Sequence, residues 1–332
     1  MNKIFISGLY RSGTTLISRI LNNHPEVEST YDCVHFMRFC YNKFDPISKR
    51  YLEVISQIHR RIKSRLGVEL DIDEIISVFK NTKNLTYPNL YDSIMKVFLL
   101  KNNEKSIWCD KSNVCWTHLL NFINMYPDEG YGIMVIRDPR DVVCSYKKYT
   151  VEQGYKYLDA AFASVSALNF ANKVQEDEIL SKKIIIIKYE DLVKNSTEKI
   201  NWLMSKIDLN NEDISIDINN FTDRIGEVWL NNSSYEDLEN GISTSPVGRY
   251  RKVLSSNEIG FIQTICQDSM EKHNYSINTI NQKDIDYSSF LKDELLNSRW
   301  EHWLETNEGV ESYPSSPPLY KSSRQIYPIS KS

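Results

Sequence analysis

The sequence predicts the α/β class, a three-layer arrangement in which a parallel sheet is flanked by helices, and three observations carry that prediction. Short apolar runs stand at 3–7, 131–136 and 183–188, each with the length and continuity of a strand buried on both faces. Each is followed by a helix signal and not by a second strand, the order that builds a parallel sheet with crossover helices. The first run also passes through Gly8-Leu9-Tyr10-Arg11-Ser12-Gly13-Thr14-Thr15, a glycine-bracketed turn at a helix start.

Taken in order, the first strand covers 3–7 and its helix Thr14 to Asn22. Residues 33–105 read as a mainly helical insertion, because Tyr51 to Ile62 and Tyr91 to Leu100 carry apolar residues at helical spacing while Arg60, Arg61 and Lys63 suit a solvated face. Ser106 to Cys109 reads as a strand, Trp116 to Met125 as a helix and Tyr131 to Ile136 as a buried strand, with Pro139 at the turn before the next helix. Lys183 to Lys188, with four consecutive isoleucines, is the clearest buried strand. It ends in Tyr189-Glu190-Asp191-Leu192, at the strand end where doubly wound folds place ligand contacts. A helix over Ser196 to Ile207, capped by Asn195 or Ser196, follows. From Asn210 the pattern weakens into polar loop. It recovers in the basic stretch Gly241 to Lys252 and a helix from Ser256 to Lys272. Residues 1–280 read as one domain. Residues 281–332 form an extension whose Trp300, Trp303, Tyr313, Pro317 and Pro318 show no clear periodicity, and the sequence does not choose between packing back through the aromatics and staying mobile.

Composition narrows the function classes. A chain of 332 residues with 41% apolar side chains can build a sizeable core. A formal net charge of −4 supplies no global field for a polyanion, so nucleic acid is not an expected partner and any cations that matter must be local. No apolar run approaches the length of about 20 residues needed for a membrane span, and no leader pattern precedes the first strand, so a soluble cytoplasmic protein is expected. Six cysteines without C-x-x-C or zinc spacing suit reduced thiols, and no metal site is expected. Oligomeric state is not legible.

The candidate chemistry is anion binding. Gly8 and Gly13 enclose four residues as in a P-loop, and the backbone N–H groups of such a loop, with the helix start behind it, form a preformed anion cradle. Where an ATP-hydrolysing loop carries lysine this chain has Thr14, and its cation comes earlier, as Arg11. A second cluster follows the 131–136 strand: Arg137 leaves the strand end and Ser145 lies in the first turns of the next helix, so guanidinium and hydroxyl can converge on one phosphate. The plainer readings are an ordinary strand-to-helix turn and a salt-bridged loop of Arg137, Asp138, Arg140 and Asp141. The run from Tyr10 to Leu16 followed by Asn23-His24-Pro25-Glu26-Val27 resembles the 5′-phosphosulfate loop of the sulfotransferase family, whose donor is 3′-phosphoadenosine 5′-phosphosulfate (PAPS). Arg137 to Ser145 resembles that family's 3′-phosphate motif. The resemblance spans about residues 3–275 and implies a P-loop-like fold.

It also implies a donor site built from Arg11, Ser12, Gly13, Thr14, Thr15, Arg137, Ser145 and Tyr189, with Ser245, Gly248, Arg249 and Tyr250 of the basic stretch closing over it. Asp110-Lys111-Ser112-Asn113 resembles the family's Lys-Thr-Pro type segment, departing from it at Ser112 and Asn113, and implies that Lys111 approaches the sulfuryl group together with Arg11. Sulfuryl transfer also needs a base for the attacking hydroxyl or amine. Asp32 stands where many glycan-type members carry a carboxylate beyond the His-Pro, and His35 is the rival. A turn residue and a core histidine are the bland alternatives. The 33–105 insertion is a candidate acceptor lid. The motifs favour a carbohydrate acceptor, with a small natural product as the runner-up; a non-catalytic PAPS-binding protein and a P-loop kinase are the other classes.

Overall fold

The computed structural model describes residues 2–30, 32–100, 104–149, 154–209, 221, 241–277 and 286–310. Strands β1 (Lys3–Gly8), β2 (Val27–Ser29), β3 (Ile107–Lys111), β4 (Gly130–Ile136) and β5 (Ile184–Lys188) form one sheet in the order β2-β3-β1-β4-β5. Every pairing is parallel. Between β1 and β2 runs α1 (Thr14–Asn22); the insertion after β2 carries α2 (Phe36–Phe39), α3 (Ile47–Leu66), α4 (Ile72–Lys80) and α5 (Tyr87–Met95), the last continuing as a π-helical turn, Lys96–Leu100. Helix α6 (His118–Met125) follows β3, and α7 (Pro139–Tyr149) follows β4. A 3₁₀ turn at Lys156–Leu158, then α8 (Asp159–Glu176) and α9 (Leu180–Lys183), lead into β5. After it come α10 (Tyr189–Lys194), α11 (Ser196–Lys206), α12 (Tyr250–Val253), α13 (Ser256–Lys272) and α14 (Glu294–Thr306).

The period-two side-chain alternation of the strands separates two cores. Ile4 and Ile6 of β1, Cys109 of β3, Ile133 and Val135 of β4, and Ile185 and Ile187 of β5 face one side, where they meet Ile17, Ile20 and Leu21 of α1 and Leu192, Leu203 and Met204 of α10 and α11. Phe5, Trp108, Met134, Ile136 and Ile184 face the other, against α6, α7, α8, α13 and the insertion. These are the three layers that the sequence predicts.

The insertion belongs to the second core. Phe36 stacks on Tyr91 at 4.2 Å and Tyr91 leans on Trp108 of β3 at 5.0 Å, so α2 and α5 are anchored to the sheet itself. The C-terminal extension packs back through its aromatics as far as it is described. Trp300 stacks on Phe261 of α13 at 5.4 Å, Arg299 Nε donates to Asp159 Oδ1 at 3.2 Å, and the Val310 N–H donates to the Phe162 carbonyl at 3.2 Å. Residues 311–332, with Tyr313, Pro317 and Pro318, lie outside the described residues. Asn195 holds the N-cap position of α11 but makes no side-chain cap hydrogen bond there.

Candidate active site

β1 is the central strand, with β3 on one side and β4 on the other. Its C-terminal end is therefore a topological switch point, the crevice in which open parallel sheets hold ligands. The loop that leaves it needs its glycines. A Cβ on Gly8 would lie 2.6 Å from the Val135 carbonyl oxygen. Gly13 adopts φ 107°, and a Cβ there would lie 2.5 Å from the Tyr189 ring. Gly13 is the N-cap of α1 and has no side chain to satisfy the first N–H groups of the helix, which leaves their positive end facing the loop. Arg11 also sits in the left-handed region, at φ 66°.

Two guanidiniums lace this loop to the next strand end. Arg11 Nε donates to Ser145 Oγ of α7 at 2.9 Å. Arg137, leaving β4, donates through Nη1 to the Arg11 carbonyl at 2.9 Å and through Nη2 to the Pro246 carbonyl at 2.8 Å. Its Cζ lies 4.5 Å from the centre of the Tyr189 ring, the same ring that meets Gly13. Arg137 Nε is buried and has no hydrogen-bond partner among the described residues. The two predicted anion loops thus form one surface, with Arg11, Gly13, Arg137, Ser145 and Tyr189 together.

Of the remaining predicted donor residues, Ser12 Oγ donates to the Leu9 carbonyl within the loop at 2.7 Å, and Thr15 is half-buried in the first turn of α1. The basic stretch is tied down by Asp141 of α7, whose carboxylate accepts from the Gly248 N–H at 2.6 Å and the Tyr250 N–H at 3.0 Å. Arg249 Nη2 donates to Ser245 Oγ at 3.1 Å. The Tyr250 ring is buried, with Arg140 Cζ at 4.3 Å and Arg251 Cζ at 4.7 Å from its centre, and its backbone N–H is the group that meets Asp141. Arg140 and Asp138 form the salt bridge the plainer sequence reading allows, at 2.6 Å. Asp141 acts differently: the plainer sequence reading places it in that salt-bridged loop, whereas its carboxylate holds the backbone of the basic stretch.

A second constellation lies at the ends of β2 and β3. β3 runs two residues further than the sequence suggests, so Asp110 and Lys111 are its last strand residues, paired with Phe5 and Ile6 of β1. Burial of their polar side chains hid that extension. Lys111, 4% exposed, places Nζ 3.5 Å from Asp32 Oδ2, and His35 Nε2 lies 3.6 Å from Asp32 Oδ1. Ser112 Oγ and His35 Nδ1 share a hydrogen bond of 2.7 Å. Asp32 and His35 both have left-handed backbones, φ 61° and 52°, a strained conformation that clusters at functional sites. Asp32 Oδ1 is buried without a hydrogen-bond partner among the described residues.

Burial alone would raise the Asp32 carboxyl, but Lys111, His35 and Arg65 outweigh it and hold the carboxyl below its ordinary value. Burial pushes His35 down to about 4, against the opposing pull of Asp32. Burial likewise lowers Lys111, with Asp32 opposing. The cluster therefore combines an ionised carboxylate with a neutral imidazole at neutral pH.

Thr14 and Asn113 join the two constellations. Thr14 Oγ1 donates to Asn113 Oδ1 at 2.6 Å, and Asn113 Nδ2 donates to Asp32 Oδ2 at 3.4 Å. Asn113 is one of the two positions that depart from the resembled segment, and Ser112, which holds His35, is the other. Behind them Thr30 Oγ1 donates to Asp110 Oδ1 at 2.7 Å and accepts from the Lys111 N–H at 2.9 Å, and Tyr91 donates to Asp110 from the insertion.

One expectation follows from the loop geometry. Gly13→Ala forces both an unfavourable φ and a collision with Tyr189, so it should cost about 1–3 kcal/mol of stability. Thermal melting would detect it, and a variant with unchanged melting would contradict the packing described.

A profile of the sulfotransferase family matches residues 3–213. No curated protein matches the sequence. Among solved structures, a sulfotransferase domain from the curacin biosynthetic pathway is similar at 15% identity and TM-score 0.50, covering 83% of this chain and 99% of that one. The sulfotransferase domain of the Synechococcus PCC 7002 olefin synthase matches at 14% identity and TM-score 0.44, over 80% of this chain and 94% of that one. A mouse sulfotransferase complexed with PAP matches at 10% identity and TM-score 0.41, over 83% and 89%. With its parallel sheet and a family match over residues 3–213, this protein belongs to the sulfotransferase family.

Proposed function

We propose that the protein transfers the sulfuryl group of PAPS to a hydroxyl or amine, by in-line displacement at sulfur. The observation that carries this reading is the joining, through Thr14 and Asn113, of an anion cradle on β1 and β4 to a lysine and carboxylate cluster on β3 and β2. In the proposed assignment the 5′ end of the donor occupies the loop from Arg11 to Thr15 and the 3′-phosphate meets Arg137 and Ser145. The segment from Ser245 to Tyr250 covers the nucleotide. As the acceptor oxygen bonds to sulfur, the bond from sulfur to the 5′-phosphate oxygen breaks, and the acceptor proton passes to Asp32. Lys111 and Arg11 offset the charge that spreads over the sulfuryl and leaving oxygens. The unpartnered Oδ1 of Asp32 favours it over His35, whose Nδ1 is engaged by Ser112.

The acceptor in this reading is a carbohydrate hydroxyl, selected by the helical insertion. The similarity to a domain of the curacin pathway supports a small natural product as the second reading. Incubation with PAPS and a panel of glycosides and phenols, read by mass spectrometry, is the test: sulfated product and stoichiometric 3′-phosphoadenosine 5′-phosphate are expected, unchanged by EDTA, since the cations of the scheme are side chains. Tight binding of PAPS without transfer to any acceptor would make the protein a non-catalytic binder.

A further inference from the structure

The insertion brings a set of arginines to the mouth of the Asp32 cluster. Phe39, at the end of α2, meets the His35 ring edge-on at 5.8 Å. Over the Phe39 ring lie two guanidiniums, Arg61 of α3 with Cζ 3.7 Å from the ring centre and Arg38 of α2 at 4.8 Å. Arg65, one turn beyond Arg61, is near enough to act electrostatically on Asp32, His35 and Lys111. Arg61 is half-buried, and its Nε is buried with no hydrogen-bond partner among the described residues.

Two carboxylates of this part of the insertion, Glu53 and Glu69, are engaged with other cations. Glu53 pairs with Arg50 at 2.7 Å, and Glu69 pairs with His59 at 2.9 Å and with Lys63. Asp32 itself faces Lys111 and His35. Two guanidiniums on one ring repel each other, and burial with Arg38 and Arg60 lowers Arg61 against the opposing Cys40 thiol. A guanidinium lying over an aromatic face keeps its N–H groups in its own plane, the edge that binds a carboxylate or sulfate through two parallel hydrogen bonds. We infer that Arg61, lying over the Phe39 ring, forms a subsite for an oxyanion on the acceptor, so that the accepted molecule carries a carboxylate or sulfate ester beside the hydroxyl that is modified. This deepens the proposed sulfuryl transfer and rests on it.

The test compares 4-nitrophenyl glucuronide, the corresponding glucoside 6-sulfate and the neutral glucoside, together with 4-hydroxybenzoate against 4-hydroxybenzamide. The wild type should favour the charged member of each set by about tenfold or more in kcat/KM, the size of one charge-assisted hydrogen bond. Arg61→Ala should lower kcat/KM for charged members about tenfold more than for neutral ones, Arg61→Lys should keep part of the preference, and calorimetry with 3′-phosphoadenosine 5′-phosphate serves as the donor-side control. The glucuronide and sulfate arms tell which oxyanion the face prefers. Transfer with equal or better rates on neutral acceptors overturns the subsite and leaves the transferase reading intact, as does a charge preference that survives Arg61→Ala. If no acceptor is sulfated, the same compounds are titrated into the nucleotide-loaded protein. Binding of the glucuronide over the glucoside that depends on Arg61 then supports the subsite while the transferase reading falls, and absence of that preference overturns both.

Discussion

Arg137→Ala should weaken binding of 3′-phosphoadenosine 5′-phosphate by about 2–5 kcal/mol, the cost of removing one member of a buried, hydrogen-bonded charge pair. In dissociation constants that is a loss of about thirtyfold to several thousandfold. The size follows from three features of the residue. The residue is 9% exposed, so a phosphate there would meet little competing water. Its two terminal nitrogens already hold the carbonyls of Arg11 and Pro246, which fixes the guanidinium before any ligand arrives. Its Nε remains without a partner among the described residues, a donor available to an oxyanion. Calorimetry on the folded variant is the measurement, with Arg137→Lys to separate lost charge from lost fork geometry. Unchanged affinity in Arg137→Ala would remove the 3′-phosphate from this site, and ATP should bind far more weakly than the 3′-phosphorylated nucleotide.

Asp32→Asn should lower kcat by about 10²–10⁴ while leaving nucleotide affinity nearly intact, the signature of a lost general base. Lys111→Ala should share that signature, because its charge acts on the moving sulfuryl group in the proposed scheme. His35→Ala is the discriminating control: full activity of Asp32→Asn with none in His35→Ala would pass the role to the imidazole, and activity in both would place the base elsewhere. The pH profile adds an independent check. The Asp32 carboxyl is held below its ordinary value and His35 at about 4, so for either group the proton-accepting form exists above a depressed value and is lost only as pH falls through it. Rates under saturating substrates should therefore stay level where an ordinary histidine, at 6.5, would already be losing activity. An acid limb centred there would contradict the burial of the cluster.

Much of this architecture was legible because its signals are contiguous. The limits of α1 and α13 fall where the sequence places them, since a glycine turn or a capping box marks their starts and clear apolar patterning fills them. The loops at the ends of β1 and β4 could be placed directly, as each is a short run following a buried strand. Helix α8 could not. It is rich in alanine and buried on every side over Asp159 to Val165, so a polar face emerges only in its later turns. The strand β2 is only three residues long, too short to give a pattern. In α14 Trp300 docks on Phe261 of α13 and Trp303 on Trp300, a packing that follows no simple amphipathic stripe. At the site, Lys111, Asp32 and His35 could be nominated singly from the resemblance. The contacts that join them could not, because Ser112 and His35 are 77 residues apart in sequence and Asn113 and Asp32 are 81 apart.

Thr14 begins the helix behind the donor loop, and its hydroxyl stands in the same hydrogen-bonded line as the Asp32 carboxylate. In the proposed scheme, occupancy of the loop and the orientation of the carboxylate would then be two ends of one thermodynamic cycle. Whatever free energy a bound nucleotide lent to the acceptor pocket through that line, a bound acceptor would return to the nucleotide in equal measure. Cutting the line at Asn113 would remove the part of that exchange the two hydrogen bonds carry.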